Sequence, residues 1–183
     1  MSFLFENQNR LTLSGSIDSN TVGNKPETSV TFAAMDPESP EALDAMTAYF
    51  RELDSRFTHG FDPGDTLTAD ADQFREPNGR FVLGYWKDTV VSCGGIHLLK
   101  PTVVEIKRMW VDSDWRGRGI GTATLGHLEE LGRLYRAETV YLDTNAVLDE
   151  AIALYTNRGY QSIDSYNDNP YAQRWYAKTL GPT

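Results

Sequence analysis

A single cysteine, Cys93, is all the thiol chemistry this 183-residue chain carries. No internal disulfide can form, and a reducing compartment is the expected setting. Long apolar runs are also missing, so no membrane-spanning segment is expected. Met1 to Phe5 is apolar, but no basic region precedes it and Glu6-Asn7-Gln8-Asn9 follows. That is not the pattern of a secretory leader, and a cytoplasmic location is expected. Positive charge is scarce: 17 Lys and Arg stand against 26 Asp and Glu, a net charge of -9. This argues against nucleic acid as the main partner, because binding its phosphates needs a basic surface. The three histidines, His59, His97 and His127, lie far apart with no acidic pair at ligand spacing, so no metal is expected. There is no Gly-x-Ser-x-Gly elbow, and Cys93 has no base near it in sequence. A covalent enzyme nucleophile is not expected.

What is present reads as one domain after a polar extension. Residues 6–29 are rich in Asn, Ser, Thr and Gly and poor in large apolar side chains, and the extension is expected over residues 1–29. The folded domain is expected over residues 30–183. Val30 to Ala34 has strand character. Ser39-Pro40-Glu41 starts a helix, with serine as N-cap and proline at the first helical position. Leu43, Met46, Phe50, Leu53 and Phe57 then follow at helical spacing. A short helix is expected over Ala69 to Phe74. Arg80 to Trp86, Val90 to Leu98 and Val103 to Val111 are strands separated by the turn pairs Lys87-Asp88 and Lys100-Pro101, an antiparallel meander. The helix Thr122 to Arg136 buries Leu125, Leu128, Leu131 and either Leu134 or Tyr135. Thr139 to Asp143 is a strand, Leu148 to Asn157 a helix closed by Gly159, and Tyr160 to Ile163 and Gln173 to Thr179 a final strand pair. Cys93-Gly94-Gly95 reads as a tightly packed strand segment with a bulge. This order implies an α+β fold on one central, mixed, mostly antiparallel twisted sheet flanked by helices.

The stretch that points to function is Arg116-Gly117-Arg118-Gly119-Ile120-Gly121, between a strand and a long helix. Glycines there bring backbone N–H groups close to a ligand, and the helix start adds unpaired donors and partial positive charge. Two arginines add forked donors. Together they describe a pyrophosphate cradle. A dinucleotide fingerprint does not fit, because the third glycine it needs would fall on Thr122 or Thr124. A Walker A loop does not fit either, because no lysine is present in the turn. Arg116-x-x-Gly119-x-Gly121 resembles the acyl-CoA-binding signature of the GNAT (Gcn5-related N-acetyltransferase) superfamily. Ala151-Ile152-Ala153-Leu154-Tyr155, followed by Gly159-Tyr160, resembles that superfamily's second signature. The asparagine that often precedes its alanine is replaced by Leu148. Arg51 to Phe57, Phe61 to Gly64 and Tyr166 to Trp175 are similar to stretches of a bacterial subgroup whose substrates are generally unassigned.

The resemblance implies an acetyl-CoA-dependent N-acetyltransferase, with acetyl-CoA as co-substrate and no metal. It implies direct transfer to the primary amine of a small molecule in a ternary complex. Two other readings stay open: a non-catalytic acyl-CoA sensor, and acetylation of a peptide or protein amine. By the family's pattern, Met109, Trp110 and Val111 would pair with the pantetheine arm. Arg116, Gly117, Arg118, Gly119, Gly121 and Thr122 would hold the pyrophosphate, and Asn145 would contact pantetheine or be a plain turn residue. The family's catalytic glutamate falls on Glu105 and its proton-donating phenol on Tyr155. Glu105 has a competing reading as a strand residue paired with Lys107 or Arg108, and Tyr155 one as a core-edge aromatic. His97 is the alternative base. The acceptor pocket is expected among Phe57, His59, Phe61, Tyr166, Asp168 and Tyr171, whose aromatic members read at least as well as rings closing the core. A homodimer is compatible with the family, whose late strands often pair between subunits.

Overall fold

The computed structural model describes residues 30–64, 68 and 70–181. The polar extension expected over residues 1–29 lies outside the described residues. The strands are β1 (Thr31–Met35), β2 (Gly79–Trp86), β3 (Thr89–Lys100), β4 (Val103–Val111), β5 (Thr139–Thr144), β6 (Gln161–Ile163) and β7 (Arg174–Thr179), and the helices are α1 (Pro40–Arg56), α2 (Ile120–Leu134) and α3 (Asp149–Asn157). All the strands join one sheet in the order β1-β2-β3-β4-β5-β7-β6. Among the described residues only the β4–β5 pair is parallel. The expected mixed, mostly antiparallel sheet is present.

Alternating side chains give this sheet a core on each face. Val82, Ile96, Val104 and Ile106 pack under α2 with Leu125, Leu128 and Leu131. Phe81, Leu83 and Cys93 point the other way, against Ala42, Met46, Phe50 and Leu53 of α1. Helix α1 starts as expected: Ser39 Oγ accepts a bond from the Ala42 amide at 3.4 Å, with Pro40 inside the first turn. One expectation shifts, and one open alternative is decided. The segment near residue 70 is only a 3-10 turn, Ala71–Phe74. At the end of α2, Leu134 is 71% exposed. Tyr135 takes the inward position instead, its hydroxyl donating to the Gly79 carbonyl at 2.7 Å.

Two irregularities of β4 shape the centre of the molecule. Cys93 pairs with Trp110 but Gly95 with Lys107, so β4 carries an extra residue against β3. This is the bulge expected near Gly94-Gly95, with the inserted residue on the neighbouring strand. Arg108 sits there at φ 56°, a conformation uncommon for a side-chain-bearing residue. On its other side β4 pairs with β5 only from Val103 to Glu105, opposite Thr139 to Tyr141. Beyond Glu105 the two strands part, and among the described residues the β5-facing edge of β4 has no strand neighbour. Two cavities line that opening.

Candidate active site

Past the splay, β4 runs into the glycine turn and α2. Gly117 (φ 72°) and Gly119 (φ 82°) both lie in the left-handed region, so the turn depends on the conformational freedom of glycine. Gly119 is the N-cap of α2 and supplies no side-chain bond, which leaves first-turn N–H groups open to a ligand. They open on a cleft of about 430 Å³ lined by Met109, Trp110, Val111, Arg116, Gly117, Gly119, Gly121 and Thr122. Its other walls come from α3 and from Tyr49, Glu52 and Arg56 of α1. Arg116 is fixed in place: its guanidinium donates to the Val111 carbonyl at 3.0 and 2.9 Å and to Glu52 at 2.5 Å. Arg118 does not reach the cleft. Its guanidinium lies 4.8 Å from the centre of the Trp115 ring and donates to the Asp114 carbonyl at 3.1 Å.

Glu52 organises this mouth. It also accepts from the Trp110 indole at 2.9 Å and from Arg56 at 3.3 Å. Burial works against its charge, but the bonds from Arg116 and Trp110 outweigh it and hold the carboxyl below its usual range. Sequence reasoning misses Tyr49, Glu52 and Arg56, because the apolar stripe of α1 dominates its pattern. Their spacing of three and four, on one flank of that stripe, is the available signal.

A second cavity of about 480 Å³ shares Tyr49, Met109, Leu148 and Tyr155 with the first. One end is aromatic. Phe61 lies 4.7 Å from Tyr171, 5.2 Å from Phe50 and 5.9 Å from Phe57, ring centre to ring centre. The loop after α1 is held there by two links. Asp54 accepts from the Phe61 amide at 3.0 Å, and the Tyr171 hydroxyl bonds the Asp62 amide and carbonyl at 3.1 and 3.3 Å. Asn145 lines this cavity rather than the cleft. It donates to the Tyr171 carbonyl at 2.8 Å and accepts from the Val147 amide at 3.1 Å, so it is at least a turn-forming residue. The other end is polar, with Lys107 and Asp143 on its wall.

Behind that wall sits Glu105, which lines neither cavity. It is 3% exposed and accepts four bonds: from His97 at 2.6 Å, Tyr166 at 2.8 Å, Lys107 at 3.0 Å and Asn167 at 3.2 Å. Burial alone would raise its pKa, but the His97 bond and the Lys107 charge outweigh that and lower it to about 2. Asp143 belongs to the same network. It takes bonds from Asn167 at 2.6 Å and Asn169 at 3.1 Å, with the Lys107 ammonium 3.7 Å away. Tyr166 also packs 4.9 Å from the Tyr141 ring and sits outside the cavity. Asp168 and His59 are exposed and line neither space.

Tyr155 stands where the two cavities meet. Burial and the nearby Asp143 charge push its phenol above the usual 10, so it keeps its proton. Cys93 is fully buried and its thiol is pushed up to about 12 by desolvation, which removes it as a nucleophile. Among the described residues no group of His, Cys, Asp and Glu could hold a metal ion. No described helix is long and apolar enough to cross a membrane.

The chain resembles known proteins. The Acetyltransferase (GNAT) family matches residues 46–160. An IAA acetyltransferase of Azospirillum brasilense is 30% identical over 124 residues, covering 67% of this chain and 80% of that protein. The N-alpha-acetyltransferase RimI of Mycobacterium tuberculosis is 30% identical over 115 residues, 61% of this chain and 70% of its own. Among solved structures, a GNAT family acetyltransferase from Elizabethkingia anophelis with acetyl-CoA bound superposes with a TM-score of 0.61 at 16% identity, covering 82% of this chain and 98% of that one. That likeness concerns the fold. The match across the β4–α2 turn and the β5–α3 segment, with the relatives named acetyltransferases, places this chain in the GNAT family as an acetyl-CoA-dependent N-acetyltransferase.

Proposed function

We propose that this protein transfers an acetyl group to the primary amine of a small molecule, directly and with both substrates bound. The supporting observation is the shared wall: Tyr155 and Met109 line both the cleft that ends on the glycine turn and the cavity behind it. Acetyl-CoA bound in the cleft supplies an acetyl thioester. The open N–H groups of the α2 start and the fixed Arg116 fit its pyrophosphate. The free edge of β4 at Met109 to Val111 fits the amide-bearing arm as an added strand would.

In this reading the amine nitrogen attacks the thioester carbon and the carbon–sulfur bond breaks. Tyr155 gives its proton to the departing sulfur. The amine must shed a proton, since an alkylammonium with a pKa of about 10 cannot attack. We assign that proton to water or to Asp143, the carboxylate on the acceptor wall. Glu105, whose oxygens are taken by four neighbours, becomes a positioning residue that fixes Lys107 and the Tyr166–Asn169 loop. CoA release with acetyl-CoA and a panel of primary amines tests the function. Acetyl-CoA binding without transfer to any amine or peptide would leave only an acyl-CoA sensor.

A further inference from the structure

The charge and ring content of the acceptor cavity narrow the acceptor class, resting on the N-acetyltransferase reading. Its wall carries two cations, Lys107 and Arg108, and three carboxylates, Asp62, Asp70 and Asp143. Both cations already face protein carboxylates. Lys107 lies 3.0 Å from Glu105 and 3.7 Å from Asp143. Arg108 is ion-paired with Asp70 and lies 4.8 Å from the centre of the Phe74 ring. The wall therefore sums to one negative charge (two positive against three negative), and the buried Glu105 adds another behind it. At the far end the half-buried Phe61 and Tyr171 rings present apolar surface inside the cavity.

We infer that the acceptor is a monocationic amine with an aromatic tail and no carboxylate, an arylalkylamine rather than an amino acid. Its ammonium is attracted to the Asp143 end, and its ring packs on Phe61 and Tyr171 in the offset or tilted contacts that aromatic rings favour. A carboxylate on the carbon bearing the amine would come to the same end as Asp143. Like charges would then face each other in a partly desolvated space, with the nearby cations already engaged. Lys107 serves the wall here, holding Glu105 and Asp143 together, and is not a carboxylate receptor.

The test uses the full chain, first heated with and without acetyl-CoA. With cofactor binding established, CoA release is followed with 2-phenylethylamine, L-phenylalanine, ethanolamine and an alanyl peptide amide. The expected kcat/KM for 2-phenylethylamine is about 100-fold above that for L-phenylalanine and about tenfold above that for ethanolamine. Asp143→Asn should shrink the amine-to-amino-acid ratio about tenfold, whatever it does to the absolute rates. Phe61→Ala should raise KM more for 2-phenylethylamine than for ethanolamine. L-phenylalanine or the peptide amide matching 2-phenylethylamine would overturn the inference. So would acetyl-CoA binding with transfer to none of the four. A chain that acetyl-CoA does not stabilise would instead overturn the N-acetyltransferase reading itself.

Discussion

At the scale of single residues, three side chains make separable predictions. Tyr155→Phe removes the proton donor but keeps the ring against Tyr160 and Tyr176, 5.8 and 6.2 Å away. Its kcat should fall about 10²- to 10³-fold with acetyl-CoA affinity nearly unchanged, as steady-state kinetics and calorimetry would show. Because the phenol pKa is raised, the acid form persists beyond pH 10, so wild-type kcat should show no alkaline limb below that pH. Glu105 shows the opposite shift. Its folded pKa, about 2 against an ordinary 4.5, means the folded state binds fewer protons than the unfolded one between those values. Its stabilisation, about 3 kcal/mol, is full above pH 4.5 and is lost as pH falls towards 2. Urea titrations should find Glu105→Gln less stable than wild type at pH 7, with the gap closing on acidification. Cys93→Ala should keep its transfer activity, since the thiol is buried in the core under α1 and donates to the Arg108 carbonyl at 3.4 Å; loss of transfer would revive a covalent route.

At the scale of elements, the α2 start depends on backbone shape more than on side chains. Gly119→Ala places a Cβ on a residue at φ 82°, where no atom crowds it but the left-handed conformation itself costs about 1–2 kcal/mol. Acetyl-CoA affinity should drop about tenfold if the turn relaxes to relieve that strain, which titration calorimetry can measure. That turn is legible in the sequence because glycine spacing encodes it. The strands and helices are legible too, because Leu125, Leu128 and Leu131 repeat at helical spacing and Phe81, Val82 and Leu83 alternate between the two cores. The roles around Glu105 are not. Its contact with His97 depends on the β3–β4 register, which shifts by one residue between Leu98 and Lys100 on the way from the turn, and shifts again beyond Glu105 at the bulge by Arg108. A positive φ at an arginine has no compositional sign. Likewise Tyr49, Glu52 and Arg56 look like an ordinary solvated flank until α1 is seen to cover the cleft.

At the scale of the whole molecule, the cofactor should act as a structural ligand. Acetyl-CoA at a hundred times its Kd adds about 2.7 kcal/mol to folding stability, roughly 5–10 °C in Tm for a domain of this size. Differential scanning fluorimetry would detect the shift, and no rise would break the link between the glycine turn and acetyl-CoA. The short β4–β5 ladder has a mechanical consequence as well. Three residue pairs, Val103 to Glu105 against Thr139 to Tyr141, carry the sheet across its middle, and beyond them β4 stands apart. Those pairs are the fulcrum of a pair of jaws. Both cavities lie between β4 on one side and α3 on the other, so a small rotation at the fulcrum would widen or narrow both together. Filling one space would then set the gape met by the occupant of the other, a coupling that amine affinity measured with and without CoA would reveal. By linkage the help is reciprocal: whatever factor acetyl-CoA adds to amine affinity, the amine returns to acetyl-CoA.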